Sequence, residues 1–388
     1  MSQPANLEMR KFLAPEFVFG PGSLDLAGRY AGNLGASRAL LVTDPGVVAA
    51  GWVAKVQASL DEAGLENVVF DGVSPNPRDA EVADGARLFV EADCDSLVAV
   101  GGGSPMDCAK GIGIVVANGR GILEFEGIDR VAEPMPPTIC VPTTGGTSAD
   151  VSQFAIISAP EERRKIAIVS KAVVPDVALI DPATLTTMDP YLTACTGLDA
   201  LTHAVEAMAS LGASAMTRLH ALEGIRQVTH NLIESIQSPD DLECRAQVML
   251  GSLHAGLAFS NASLGAVHAM AHSLGGRLDL PHGECNALLL EHVVAFNFDT
   301  AVECYRATGE AMGLPLAGLG ETGAREAVLG AMRKLREAAG VRDGLASRGV
   351  RSADIVGLSR NALRDACMVT NPRRPNHRDI EAIYEEAL

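Results

Sequence analysis

Aromatic side chains are scarce in this sequence of 388 residues, where Phe, Trp and Tyr together make up 4%. The hydrophobic cores must therefore be built from Ala, Val, Leu and Ile. Positive charge is also scarce, because 31 Lys and Arg face 48 Asp and Glu, a formal net charge of −17. An acidic surface disfavours nucleic acid and anionic membranes as partners, since both are normally bound by basic residues. The composition therefore predicts a soluble cytoplasmic protein with no nucleic-acid or membrane partner.

The sequence also lacks paired cysteines and long apolar runs. Its eight cysteines are scattered, and none belongs to a CxxC pair. Disulfide-stabilised proteins are short and dense in cysteine, so we expect reduced thiols, mostly in cores. The first residues, MSQPANLEMRKF, contain no apolar stretch of the kind found in secretory signals. The longest apolar runs, such as 112–117, are too short to cross a bilayer.

The two halves of the chain differ in their hydrophobic pattern. Short apolar runs at 39–42, 68–70, 97–100 and 138–141 alternate with helical patterns, which predicts a parallel sheet with helices on both faces. Beyond residue 190, Ala- and Leu-rich stretches with helical spacing dominate, at 193–210, 216–236, 242–260 and 324–339. A chain of this length usually forms more than one core. We therefore predict an α/β domain at 1–188 and an all-α domain at 189–388.

A glycine-rich turn, Gly101-Gly102-Gly103, follows the third apolar run. Glycines let the backbone approach a ligand closely, and we interpret Ser104 as the N-cap and Pro105 as the first residue of a helix. The free N–H groups of such a helix bind anions such as a pyrophosphate. The alternative is a plain glycine turn before a helix, because the segment is not a GxGxxG dinucleotide fingerprint.

Two further segments point to the same kind of ligand. Asp44 ends the first predicted strand, where a carboxylate binds an adenosine ribose and repels a 2′-phosphate, which favours NAD over NADP. An ordinary Asp-Pro-Gly turn is the alternative. The Thr- and Gly-rich loop at 142–150 follows the fourth strand and is either a solvated loop or a wrapping for phosphate or nicotinamide ribose. Two such loops at the carboxyl ends of parallel strands favour a cofactor site.

The helical half contains five candidate metal ligands. Asp199 and His203 lie four residues apart in a predicted helix, so they share one face. His268 and His272 repeat this spacing, and His282 follows in LPHGEC. Each pair alone could be a surface or core feature, but two pairs and a further histidine in one domain favour a metal site. Nitrogen and carboxylate ligands suit Fe²⁺, Zn²⁺, Co²⁺ or Mn²⁺.

Three other residues lie near these candidates in sequence. Glu206, on the same predicted helix as His203, either supports a ligand from behind or lies on a solvated helix face, and we predict the solvated face. Cys195 and Cys285 are equally well explained as core residues, so neither is included among the predicted ligands.

Nearly the whole chain resembles the iron-containing (group III) alcohol dehydrogenases. The shared segments include VTDPGV, SPNP, GGGSPMDCAK, PTTGGTSADVSQFAII, TGLDALTHAVEA, GLAFSNASLGAVHAMAHSLGG, LPHGECNALLL and TNPRRPNHRDIEAIY. The resemblance implies an N-terminal dinucleotide-binding α/β domain with a parallel sheet and a C-terminal helical domain, with the active site in the cleft between them. It also implies a homodimer or a larger homo-oligomer.

The resemblance assigns roles residue by residue. It implies that one divalent metal, Fe²⁺ with Zn²⁺ as the alternative, is bound by Asp199, His203, His268 and His282. His272 would then lie beside the nicotinamide and handle the proton released from the alcohol. The implied NAD site consists of Asp44, Asn76, Gly102, Gly103, Ser104, Thr143, Thr144, Thr147 and Lys165.

The implied activity is hydride transfer between a primary alcohol and NAD, with aldehyde reduction as the reverse reaction. One segment departs from the family, because many members read GTGSE where this chain has Gly146-Thr147-Ser148-Ala149-Asp150. Ser148 therefore predicts a changed cofactor affinity or backbone path. Two other functions stay open: a zinc-dependent polyol dehydrogenase of the glycerol type, and a weakly active regulatory paralogue that binds NAD and metal.

Overall fold

A computed structural model describes residues 10–162 and 164–388. The strands in this part of the chain are β1 (Glu16–Phe19), β2 (Arg38–Val42), β3 (Glu66–Phe70), β4 (Ser96–Gly101), β5 (Gly127–Ile128), β6 (Thr138–Pro142), β7 (Phe154–Ala159), β8 (Arg164–Val169) and β9 (Val177–Ile180). All of them precede the long helices of the second half.

Five α-helices accompany these strands: α1 (Ala27–Asn33), α2 (Pro45–Ala49), α3 (Trp52–Glu62), α4 (Asp79–Glu91) and α5 (Gly103–Asn118). The second half of the chain is helical, with α6 (Pro190–Ala209), α7 (Ala215–Gln237), α8 (Leu242–Ala262), α9 (Ala266–Leu278), α10 (His282–Asn297), α11 (Val302–Ala311), α12 (Glu321–Ala338), α13 (Ser352–Ala362) and α14 (His377–Ala387). Among the described residues, no helix has both the length and the apolarity needed to cross a membrane.

Six strands form one parallel sheet in the order β1-β9-β6-β4-β2-β3. Alternate residues of its central strands enter two cores, with Leu40 and Leu97 on one face and Leu41 and Val98 on the other. Burial on both faces explains why these strands read as nearly continuous apolar runs. The four predicted runs lie within β2, β3, β4 and β6, and the predicted α/β plus all-α fold is confirmed.

A second sheet, in the order β5-β8-β7, is absent from the sequence prediction. Its strands β7 and β8 form an antiparallel hairpin in which Phe154 pairs with Val169. Gly275 and Gly276 allow α9 to pack directly on β8, since a Cβ on Gly276 would lie 2.5 Å from the Cα of Arg164. The small sheet therefore joins the α/β half to the helical half and places Lys165 between them.

Helix α6 runs through the centre of the helical half and is buried from Thr193 to Ala209. Its apolar residues contribute to the largest core of the protein, together with α9, α10 and α12. A helix that is buried all round must be apolar all round, except where a polar side chain finds a partner. Asp199, His203 and Glu206 are such buried polar residues, so their partners define what this part of the helix does.

Candidate active site

A cavity of about 800 Å³ lies between the loops that follow β2, β4 and β6 and the helices α6, α9 and α10. Its size suits an organic ligand. Its lining includes every site residue predicted from the sequence: Asp44, Asn76, Gly102, Gly103, Ser104, Thr143, Thr144, Thr147, Lys165, Asp199, His203, His268, His272 and His282. The fold therefore brings both predicted groups of residues to one cavity.

The glycine turn after β4 differs in detail from the prediction. Helix α5 begins at Gly103 with Gly102 as its N-cap, so the prediction that Ser104 caps the helix is wrong. The glycines at these positions let the two loops touch, since a Cβ on Gly103 would lie 2.9 Å from Thr147 and one on Gly102 would lie 3.0 Å from Thr144. The first turn of α5 still lines the cavity, where its free N–H groups suit a phosphate.

Asp44 has a structural role at the cavity as well. It is the N-cap of α2, and its Oδ1 accepts a hydrogen bond of 3.0 Å from the backbone N–H of Val47. The same carboxylate lines the cavity at the carboxyl end of β2. The helix-capping turn and the ligand-facing position are therefore two properties of one residue.

Three of the predicted metal ligands converge, although they come from three helices. Asp199 Oδ1 lies 3.6 Å from His268 Nε2 and 3.9 Å from His282 Nε2, and one ligand atom from each residue falls within 4.8 Å of the others. Asp199 and His268 are buried, and the His282 side chain is 25% exposed. A carboxylate oxygen and imidazole nitrogens converging at a cavity wall are a donor set that fits a divalent transition-metal ion.

His203 and His272 flank this group without joining it. The His203 ring stacks on His268 with centroids 4.4 Å apart, and its Nδ1 lies 3.2 Å from the carbonyl oxygen of Gly146. The His272 ring stacks on His282 at 5.2 Å, and its Nδ1 lies 2.8 Å from Asp365 Oδ2. Both rings line the cavity beside the converging atoms.

The charges of the site are set by burial and by mutual contact. Burial would raise the pKa of Asp199, but His203, His282 and His268 together hold it well below its usual value. Burial lowers the pKa of His203 to about 3. Burial also acts against protonation of His268, but its hydrogen bonds to Asp199 and Glu206 raise the pKa to about 9. The site thus keeps an ionised carboxylate, as cation binding requires.

Asn286 belongs to this site and was not predicted. Its Nδ2 donates to Asp199 Oδ1 at 2.6 Å and lies 3.1 Å from both His268 Nε2 and His282 Nε2. Its Oδ1 is buried and has no hydrogen-bond partner among the described residues. The spacing of four residues from His282 could have identified it, since the same spacing identified the other pairs.

Two carboxylates behind the histidines were also not identified as site residues. Glu206 is only 8% exposed and contacts His268, so the prediction of a solvated helix face is wrong. The reason is that α6 lies inside the helical half. Asp365 contacts His272 from 93 residues away, and no local pattern indicates such a pair.

Lys165 and Asn76 connect the two sides of the cavity. Lys165 Nζ donates to Asn76 Oδ1 at 2.6 Å, and Asn76 Nδ2 donates to Asp279 Oδ1 at 2.7 Å. Asn76 has a φ of 60°, a left-handed conformation that asparagine tolerates better than most residues. Asp279 caps the end of α9, so this chain of hydrogen bonds links the α/β half to the helical half at the cavity.

Ser148, where the sequence departs from the family, has a left-handed backbone conformation. Ser148 has a φ of 51°, which favours the glycine that many family members carry there. Its Oγ donates to the carbonyl oxygen of Ser252 at 2.7 Å, and its Cβ fits because Gly256 has no side chain. Thr147 and Ala149 line the cavity on either side of it.

Comparison with known proteins identifies two family regions in this chain. Residues 14–182 match the model described as "Iron-containing alcohol dehydrogenase", and residues 193–388 match "Fe-containing alcohol dehydrogenase family, C-terminal". A 1,3-propanediol dehydrogenase of Klebsiella pneumoniae is 40% identical over 383 residues, covering 98% of this chain and 99% of the relative. An NAD-dependent methanol dehydrogenase of Bacillus methanolicus is 34% identical over 377 residues, covering 97% of this chain and 99% of the relative.

A solved structure agrees with these matches. The crystal structure of a 1,3-propanediol oxidoreductase superposes with a TM-score of 0.95 at 40% identity, covering 98% of this chain and all of that one. The family, activity and cofactors predicted from the sequence are confirmed. The chain belongs to the iron-containing alcohol dehydrogenase family, and it is a metal-dependent alcohol dehydrogenase and aldehyde reductase with Fe²⁺ and NAD as its cofactors.

Proposed function

We propose that Asp199, His203, His268 and His282 hold the divalent metal ion of this enzyme. The observation that carries the proposal is the convergence of Asp199 Oδ1 with the Nε2 atoms of His268 and His282 at the wall of the cavity. The carbonyl oxygen of Gly146 accepts a hydrogen bond from His203 Nδ1, which leaves Nε2 of that ring free to bind the ion as well. When bound, the ion supplies a Lewis acid that polarises an alcohol or carbonyl oxygen.

The predicted NAD site is the second part of the proposal. The first turn of α5 offers N–H groups for the pyrophosphate, and the hydroxyls of Thr143, Thr144 and Thr147 line the same wall. Asp44 meets the adenosine ribose at the end of β2. The nicotinamide, when bound, accepts the hydride. The complete proposed set is Asp44, Asn76, Gly102, Gly103, Ser104, Thr143, Thr144, Thr147 and Lys165.

His272 is the residue that we propose handles the proton. The Asp365 carboxylate accepts a hydrogen bond from His272 Nδ1. This nitrogen therefore carries the hydrogen, and Nε2 of the same ring presents a lone pair. His272 then accepts the alcohol proton at Nε2 during oxidation and returns it during aldehyde reduction. Asp365 keeps the ring in the orientation that this transfer needs.

The substrate that we propose is a short primary alcohol or the matching aldehyde. Phe154, Phe259 and Leu264 form an apolar part of the cavity wall, and Phe259 stacks on His203 at 4.2 Å. Such a wall suits a short alkyl chain whose oxygen points to the metal ligands. The relatives named after 1,3-propanediol and methanol carry names of small alcohols, which supports the same class.

His268→Ala tests the metal assignment directly. We expect this variant to lose both bound metal and turnover, since it removes a ligand from the centre of the converging group. Metal content after purification and NAD reduction with C2–C6 alcohols, using iron- and zinc-loaded protein, are the two measurements. His230→Ala is the control, because His230 is an exposed histidine of α7. Full activity of His268→Ala, or of the wild-type protein after chelation, would contradict the proposal.

We further propose that the chain forms two domains, at 1–188 and 189–388, and acts as a cytoplasmic homodimer. The last strand ends at Ile180 and the long helix α6 begins at Pro190, which supports the boundary. All eight cysteines are free thiols, as expected in a reducing compartment. Strand β1 lies at the edge of the main sheet with Phe17 41% exposed, a feature that a second copy could cover. Light scattering coupled to size exclusion gives the mass in solution.

A further inference from the structure

Helix α6 carries a third polar residue on the face that holds two proposed metal ligands. Asp199, His203 and Glu206 lie at helical spacings of four and three residues, so all three point to the same side of α6. Glu206 is 8% exposed, and the ion pairs of the described residues give it no lysine or arginine partner. A buried carboxylate without a basic partner is costly unless hydrogen bonds compensate it.

The hydrogen bonds of Glu206 all lead to the start of α9. Its Oε1 accepts from the backbone N–H of Val267 at 2.7 Å. Its Oε2 lies 2.6 Å from His268 Nδ1 and 3.4 Å from the backbone nitrogen of His268. The carboxylate therefore caps the first turn of α9 and holds the His268 ring at the same time.

The polarity of the contact decides where the His268 proton resides. An ionised carboxylate only accepts hydrogen bonds, so Nδ1 must carry the hydrogen in this contact. In the neutral form that a metal ion requires, the ring therefore keeps its hydrogen on Nδ1 and has its lone pair on Nε2, which is the atom that faces Asp199 Oδ1 at 3.6 Å. The carboxylate also fixes the direction of the ring, since the helix turn that it caps carries His268.

We propose that Glu206 is a positioning residue of the metal site, which locks His268 in the Nδ1–H tautomer and directs its Nε2 lone pair at the ion. This inference rests on the proposed metal ligand set. Gly146 and Asp365 place the same tautomer on His203 and His272, respectively. Gly146 acts on the proposed ligand His203 through its backbone carbonyl, and Asp365 acts on His272, which is not a proposed ligand. Glu206 instead acts on a proposed ligand through its side chain, so a substitution of Glu206 can change the tautomer of His268.

Glu206→Gln reverses the polarity of one contact while keeping the shape of the side chain. One of the two oxygens becomes an NH₂ group, and it cannot face the N–H of Val267, because two donors would meet. On the other side, the backbone N–H of His268 is 3.4 Å away, a much weaker contact, so the amide NH₂ faces His268 Nδ1. This makes Nδ1 an acceptor and moves the ring proton to Nε2. A protonated Nε2 cannot bind a metal ion, so binding must first reverse this arrangement.

The test compares Glu206→Gln with Glu291→Gln. Glu291 is 6% exposed on α10 and binds Arg333 and Arg336, so it controls for replacing a buried carboxylate by an amide away from the site. We expect Glu206→Gln to bind Zn²⁺ and Co²⁺ about 10- to 100-fold more weakly than the wild-type protein in chelator competition, the usual effect of losing such a partner. Glu291→Gln should retain the wild-type affinity.

A second measurement does not depend on how the variant folds. In zinc-loaded wild-type protein with ¹⁵N-labelled histidine, the His268 ring should give a protonated Nδ1 and a metal-bound Nε2. A metal-bound Nδ1, or wild-type affinity of a folded Glu206→Gln variant, would overturn the inference. His268→Ala separates the two proposals: if it loses zinc while Glu206→Gln keeps full affinity, only the role of Glu206 fails, and if it retains zinc, the ligand set itself fails.

Discussion

Asp44 illustrates how one residue can serve the local fold and the ligand together. As the N-cap of α2 it accepts a hydrogen bond from Val47, and as a cavity residue it presents negative charge where the adenosine ribose is proposed to bind. From the sequence alone, the turn and the ribose-binding carboxylate were two alternative interpretations of Asp44. They are compatible because a carboxylate has two oxygens, each able to accept hydrogen bonds.

Asp44→Ser separates the charge from the cap, since serine also caps helices well. We expect the preference for NAD over NADP, measured as the ratio of kcat/KM values, to fall by at least about tenfold. The reason is that a like charge within a few ångströms of the 2′-phosphate costs on the order of 1–4 kcal/mol. Asp241→Ser is the matched control, because Asp241 caps α8 and does not line the cavity. An unchanged preference would remove Asp44 from cofactor selection.

At the scale of elements, the metal site depends on how closely α10 approaches α6. His282 is the first residue of α10, and Gly283 follows it against α6. A Cβ on Gly283 would clash with the carbonyl oxygen of Cys195 and lie 3.3 Å from the Cβ of Asp199. Backbone atoms of a buried helix cannot move aside as a flexible side chain can, so only glycine permits this approach.

Gly283→Ala should therefore move the start of α10 away from α6. We expect zinc affinity to fall by at least about tenfold and the free energy of unfolding to fall by about 1–3 kcal/mol, as for other overpacked sites. Gly330→Ala on α12 is the control, because nothing lies within 4 Å of its added Cβ. This control should stabilise the protein by about 0.5–1 kcal/mol, the helix-propensity gain over glycine. Metal competition and urea unfolding measure both effects, and equal zinc affinities would contradict the packing argument.

At the scale of the whole molecule, the active site is the contact between two halves of different architecture. The parallel sheet contributes loops at its carboxyl edge, and the helical half contributes the metal ligands. Asn76 joins the two halves, because it accepts a hydrogen bond from Lys165 of β8 and donates one to Asp279 at the end of α9. Cofactor binding and the relative position of the halves should therefore be coupled through Asn76.

Asn76→Gly removes both hydrogen bonds and keeps the left-handed backbone. We expect the KM for NAD to rise by up to about thirtyfold, because two hydrogen bonds contribute roughly 1 kcal/mol each and about 1.4 kcal/mol corresponds to a factor of ten. The kcat with saturating NAD should change less, since the metal ligands are not touched. Steady-state kinetics at varied NAD concentration separates these quantities. A fall in kcat with an unchanged KM would place Asn76 in the chemical step instead.

Much of the site was predictable because its chemistry lies in short segments. The spacing of Asp199 with His203 and of His268 with His272 reflects one helical turn, and each pair does lie on one helix. The small sheet was not predictable in the same way. Strand β8 contains the apolar run 166–169 and has six residues, as many as β4, but a single run does not indicate which strands it pairs with or in which sheet.

The sequence by itself determined the parallel sheet, the helical second half and the kinds of residue available for chemistry, because periodicity and side-chain type are local properties. Only the tertiary structure decided which atoms meet. Glu206 reaches His268 across 62 residues and Asp365 reaches His272 across 93, and neither distance has a periodic signal. Those contacts depend on how α6, α9 and the segment after α13 pack. That packing is set by the shared aliphatic core and by glycines such as Gly283, which let buried helices touch.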